Sequence, residues 1–199
     1  LLAPYFQEHP TLLCRIFHAH GSDRALGWHN YGYVYAYLLD QMPQPPRRIL
    51  ELSQGMGAVP PALARASLLG WREAFPAAEL IAARPTASSP VPVAGVEAHR
   101  VDQTDPDSVA ALFTKLGARS LDLVVDDGVH GFVASSAFLS AAYPHLARNG
   151  LHVIEDVLYR DIDSWVTFLR AGGYSAVVVR LPHPANAWNN CLIVVEAAR

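Results

Sequence analysis

The sequence predicts an α/β fold built on a mostly parallel sheet, and three observations predict it. From Arg47 onward, short apolar runs alternate with stretches of helical spacing. Three of those runs end in carboxylates, an arrangement expected where parallel strands meet a ligand crevice. The last two runs follow one another with no helix between them, as antiparallel neighbours do.

The elements follow in order. Helical spacing is expected around Thr11–Ala19 and Tyr31–Met42, before Pro43-Gln-Pro-Pro46 stops any helix. Residues 1–46 therefore read as an N-terminal helical extension or lid, and 47–199 as the main domain. Arg47–Leu52 reads as the first strand and Ser53-Gln54-Gly55 as its turn. Pro61–Ala74 is spaced as a helix, Glu79–Ala83 as a strand, Thr86–Pro92 as a loop and Val96–Val101 as a strand. Asp105–Leu116 is a helix with Thr104 or Asp105 as cap and Pro106 in its first turn. Leu121–Val125 is a buried strand, and Phe132–Leu146 a helix stopped by Asn149-Gly150. Leu151–Glu155 is a strand, Ile162–Ala171 a helix, and Tyr174–Leu181 and Cys191–Glu196 are the closing strands.

Composition narrows the function. Of 199 residues, 51% are hydrophobic and 17% charged, which is ample material for a core. The net charge of -3 and pI near 6.3 leave no basic excess for a phosphate backbone, so nucleic acid is not expected as a partner. The two cysteines, Cys14 and Cys191, lie far apart and outside any CxxC pair. That argues against a zinc-thiolate site or disulfide framework and suits a reducing cytoplasm. No apolar run is long enough to span a membrane, and the opening residues lack the basic and apolar regions of a signal peptide.

The strand-end acids are Glu51, the pair Asp126-Asp127 and the pair Glu155-Asp156. Carboxylates gathered on one rim repel one another, and a divalent cation relieves that repulsion. All-oxygen ligation favours Mg²⁺ or Ca²⁺ over zinc. His130, three residues beyond Asp127, is placed as a general base because its ordinary pKa lies near neutrality. An isolated Asp at such a turn could be a simple helix cap; two acidic pairs with a histidine beside them favour a site. Gly55-Met56-Gly57 could admit a nucleotide close to the backbone, but Pro60 stands where a dinucleotide fingerprint needs its third glycine. His29, Tyr31 and Trp188 are weaker candidates for the roof of the site.

These residues resemble the class I S-adenosylmethionine-dependent methyltransferases, specifically the macrolide-sugar O-methyltransferase and cephalosporin-hydroxylase-like group. The resemblance runs through Gly21–Arg24, His29–Tyr31, Ile49–Leu52, Leu68–Leu80, Val101–Pro106, Leu123–His130, Val153–Val157 and Asn189–Val195. It implies a Rossmann-like seven-stranded sheet, mostly parallel, with a C-terminal antiparallel hairpin and helices on both faces. It implies that Asp127, Glu155 and Asp156 ligate Mg²⁺ and that His130, working beside Asp127, is the base. It further implies that Glu51, Gly55, Gly57, Asp102, Gln103 and Asp126 surround S-adenosylmethionine. The expected partner is a hydroxylated small molecule, with self-association as a further implication.

Two departures stand out. Ser53-Gln54-Gly55-Met56-Gly57 alters the family's first loop. Arg84 stands where the family has an acid that grips the cofactor ribose. Losing such an acceptor costs about 2–3 kcal/mol, roughly a 30- to 150-fold loss of affinity. The alternative reading is therefore a methyltransferase fold that has lost methyl transfer and uses its acid-histidine site for cyclisation, isomerisation or hydrolysis. A non-catalytic subunit is a third reading, which the clustered charge disfavours.

Overall fold

A computed structural model describes residues 9–25, 27–53, 65–85, 93–181 and 183–198. Its elements are α1 (Leu12–His20), α2 (Tyr31–Asp40), β1 (Arg48–Ser53), α3 (Ala66–Ala74), β2 (Glu79–Arg84), β3 (Val96–Arg100), α4 (Pro106–Leu116) and β4 (Leu121–Asp127). They continue with α5 (Phe132–Ala142), β5 (Leu146–Ile154), α6 (Ile162–Ala171), β6 (Ser175–Arg180) and β7 (Cys191–Glu196).

The seven strands form one sheet in the order β3-β2-β1-β4-β5-β7-β6. β1 pairs in parallel with β2 and β4, β2 with β3, and β4 with β5; β7 runs antiparallel to both β5 and β6. The expected class I methyltransferase architecture is thus present. The chain leaves β1 toward β2 and β3 on one side, then returns to β4 and β5 on the other. The gap between β1 and β4 is therefore the topological switch point, where α/β sheets open a ligand crevice.

Period-two alternation sorts each strand onto two layers. Ile49, Leu123, Val153 and Leu192 face a cluster that also holds Leu13 and Phe17 of α1, Tyr31 and Tyr35 of α2, and Trp71 of α3. Their sequence neighbours Leu50 and Val124 face Leu112 and Phe113 of α4 and Phe138 of α5. Ile154 and Ile193 face Trp165 and Leu169 of α6. The two N-terminal helices thus bury their apolar faces in the same core as β1. α1 is capped by Thr11, whose hydroxyl accepts from the Cys14 amide, and ends at Gly21 with φ 76°. Gly70 lets α3 press against α1, because a Cβ there would overlap the Phe17 ring.

One expected boundary is wrong. Asn149-Gly150 does not stop α5; it lies inside β5. The helix ends at Ala142, and Tyr143–His145, with Pro144, forms a single 3₁₀ turn. Pro144 cannot donate to the α-helical ladder, so the stop comes earlier than the glycine suggested. Asn149 takes φ 62° within the strand, and the β4–β5 register shifts between Leu121 and Leu123. The expected Thr86–Pro92 loop, the first part of the Pro61–Ala74 helix and Gly55–Gly57 lie outside the described residues.

Candidate active site

The carboxyl ends of β1, β4 and β5 bring Glu51, Asp126, Asp127, Glu155 and Asp156 to one rim. Among the described residues, Asp127, His130 and Asp156 each offer one ligand atom within 4.8 Å of the others. His130 and Asp156 both adopt left-handed backbone, with φ 54° and 55°. Side chains with a Cβ pay for that conformation, and such strain persists where the fold needs a side chain aimed at a particular point. Here the strained residues are two of the three that converge. His130 Nε2 lies 3.6 Å from Asp156 Oδ2, and its Nδ1 has no hydrogen-bond partner among the described residues.

Asp156 is oriented from the opposite side. The Tyr31 hydroxyl donates to its Oδ1 at 2.7 Å, and His29 Nε2 stands 3.2 Å from the same oxygen. His29 stacks on Tyr31 with ring centroids 4.5 Å apart. Its Nδ1 meets Asn190 Oδ1 at 3.1 Å. Asn190 donates its amide hydrogens to Asn30 Oδ1 and the Leu181 carbonyl, which fixes which way the amide faces. The loop before β7 and the start of α2 are thereby locked around Asp156. Above them Trp28 and Trp188, 41% and 58% exposed, place their ring centroids 6.4 Å apart.

Glu155 is placed differently from Asp156. Its Oε1 accepts from Arg24 Nε at 2.7 Å and from the Tyr35 hydroxyl at 2.6 Å; its Oε2 lies 2.6 Å from Arg24 Nη2. The carboxylate is engaged at both oxygens and stands outside the compact Asp127–His130–Asp156 group. Burial pushes its pKa up to about 7 even though Arg24 pulls the other way. Burial likewise raises Asp127, with Arg24 opposing and Glu155 adding to the rise. Two carboxylates and an imidazole converge there, so the donor set fits a divalent cation. Its two carboxylate oxygens suit Mg²⁺, and the imidazole remains for proton transfer.

The other acids have different surroundings. Glu51 is buried; it accepts from Ser67 Oγ at 2.6 Å and Trp71 Nε1 at 2.8 Å, with Arg24 Nη1 at 3.6 Å. Gln103 Nε2 donates to both oxygens of Asp126, at 2.8 and 2.9 Å, while the Val129 amide donates to Gln103 Oε1. Burial pushes Asp126 up to about 6 against these hydrogen bonds. Gly128 completes the knot, because a Cβ there would overlap Gln103 Oε1. Gln103 and Asp126 thus engage each other, and exposed Asp102 accepts from the Thr104 amide and hydroxyl. Arg84 ends β2, almost buried, with Nη2 4.0 Å from Glu51 Oε1.

Sequence reasoning missed Arg24, Ser67, Trp71 and Asn190 as parts of this rim. Arg24, Trp71 and Asn190 lie in segments that carry the resemblance, but nothing there set them apart as site residues. Ser67 lies outside those segments, and all four become significant only through folding.

No protein-family model matches the chain. Over 147 residues it is 30% identical to the 8-demethyl-8-alpha-L-rhamnosyl tetracenomycin-C 2'-O-methyltransferase of Streptomyces olivaceus, an alignment covering 69% of this chain and 35% of that protein. It is 29% identical over 110 residues to the mycinamicin VI 2''-O-methyltransferase of Micromonospora griseorubida, covering 55% of this chain and 27% of that protein. Over these segments the chain is similar to sugar O-methyltransferases of natural-product pathways. It spans only about a quarter to a third of the length of these curated relatives. The MycE methyltransferase, solved with Mg and SAH, superposes with TM-score 0.71 at 18% identity, covering 95% of this chain and 55% of MycE. The plantazolicin methyltransferase BpumL superposes at TM-score 0.57 and 11% identity, covering 98% and 89%. Both structures share the fold of this chain.

Among the described residues, no helix is long and apolar enough to cross a membrane.

Proposed function

We propose that this chain is a Mg²⁺-dependent, S-adenosylmethionine-dependent O-methyltransferase whose acceptor is a hydroxylated small molecule, a sugar or another natural product. The observation that carries the reading is the convergence of Asp127, His130 and Asp156 at the switch-point rim, on strained backbone at the last two. The named activities of the curated relatives support it.

In this reading Asp127 and Asp156 hold the metal, with Glu155 close behind. A bound Mg²⁺ supplies Lewis acidity toward a substrate oxygen. Tyr31 and His29 keep Asp156 turned toward the metal position, as groups behind a ligand commonly do. His130 takes the proton from the acceptor hydroxyl. Trp28 and Trp188 offer apolar faces to the acceptor and shed water from it. Glu51, Gly55, Gly57, Asp102, Gln103 and Asp126 are the residues assigned to the cofactor. The ribose end fits poorly, because Arg84 stands in place of an acceptor.

That misfit favours a second reading, in which the fold has lost methyl transfer and the acid-histidine site performs another reaction. Calorimetry with S-adenosylmethionine, with and without Mg²⁺, separates the two. Binding together with methylation of a rhamnosylated acceptor is expected, and no binding at millimolar cofactor sinks the first reading. His130→Ala should abolish turnover with the melting temperature unchanged; retained turnover removes the assignment of the base.

A further inference from the structure

Arg24 sits in the short turn between α1 and α2, yet its guanidinium reaches the ends of three strands. It is 1% exposed. Nε and Nη2 fork onto the two oxygens of Glu155, Nη2 also lies 3.2 Å from Asp127 Oδ2, and Nη1 lies 3.6 Å from Glu51 Oε2. Burial works against the charge, but Glu155, Glu51 and Asp127 together hold Arg24 well above its ordinary pKa. A guanidinium is the cation suited to this place, because its planar fork matches a carboxylate and it stays charged when desolvated.

Glu51, Asp126, Asp127, Glu155 and Asp156 bring up to five negative charges to the rim when ionised, and Arg24 with Arg84 brings two positive ones, so the rim is negative on balance. Arg24 also decides which carboxylates are free. It occupies both oxygens of Glu155 and one oxygen of Asp127, leaving Asp127 and Asp156 to face His130.

We propose that Arg24 is a positioning residue, a resident counter-cation that withdraws Glu155 from the metal position and tempers the affinity of the rim for a divalent ion. The proposal rests on the metal reading above. It predicts a sign opposite to that of a simple structural prop. Removing a prop loosens the site and weakens ion binding. Removing a competing cation leaves more negative charge around the ion and strengthens binding, even where the fold without metal is less stable.

The test is Mg²⁺ binding by calorimetry at pH 8, without cofactor or acceptor, on the wild type and on Arg24→Met, Arg24→Gln and Arg24→Lys. Thermal melts with and without Mg²⁺ accompany it. The neutral variants should bind Mg²⁺ at least about tenfold more tightly and gain more melting temperature from it than the wild type. Arg24→Lys, which restores the charge, should return affinity to within about threefold of the wild type. If Arg24→Met fails to fold, Arg24→Gln carries the comparison. Folded neutral variants that bind Mg²⁺ equally or more weakly than a Mg²⁺-binding wild type overturn the proposal and leave the metal reading standing. A wild type that binds no Mg²⁺ overturns both.

Discussion

Replacing His152 by Leu should remove an acid sensitivity built into the core. His152 lies on β5, fully buried, with the Phe138 ring edge-on at 5.7 Å and no partner for either ring nitrogen among the described residues. Burial pushes its pKa down from 6.5 to about 3. A base with a depressed folded pKa is protonated first in the unfolded chain. Stability is therefore lost as pH falls below 6.5, and the loss levels off only near 3. Between pH 7.5 and 5.0 the unfolded chain takes up the proton and the folded chain does not. At 1.36 kcal/mol per pH unit over the interval from 6.5 to 5.0, this costs about 2 kcal/mol. Buried acids such as Asp126 and Glu155 titrate in both proteins, so they cancel in the difference. Urea unfolding of the wild type and His152→Leu at the two pH values measures it directly. The variant should be at least as stable at pH 7.5, because two unpaired polar atoms leave the core. Its advantage should grow by about 2 kcal/mol at pH 5.0. An advantage that does not change with pH, or an imidazole proton resonance titrating near 6.5 in the folded protein, refutes the reasoning.

Three other outcomes are expected. Gly128→Ala should lower stability by about 1–3 kcal/mol in urea unfolding, because the new methyl overlaps Gln103 Oε1 and must break the Gln103–Asp126 knot. Asp127→Asn should weaken Mg²⁺ binding at least about tenfold by calorimetry, since it removes a charged ligand from the Asp127–His130–Asp156 group. Trp188→Ala should raise KM for the acceptor while leaving kcat close to the wild-type value, because the exposed indole contributes contact area away from the reacting atoms.

The strand and helix order was legible because its signals are local. The apolar run of β4, the Asp105 cap with Pro106, and the boundaries of α6 and β7 depend on neighbouring residues alone. The start of β5 was not legible, because Asn149-Gly150 is a stop signal for a helix and is equally tolerated in an irregular strand. The rim could be read at Asp127, His130 and Asp156 because acids at the ends of buried strands are conspicuous. The engagement of Glu155 was not legible, since its partners Arg24 and Tyr35 lie 131 and 120 residues away.

The sequence by itself determined that this chain forms a parallel sheet with an acidic rim, since periodicity and the placing of charge at strand ends are properties of short segments. Only the tertiary structure decided which groups engage each acid. A carboxylate is free or engaged according to the groups that share its desolvated surroundings. Here those groups arrive from the turn before α2, from α2 and α3, and from the loop before β7.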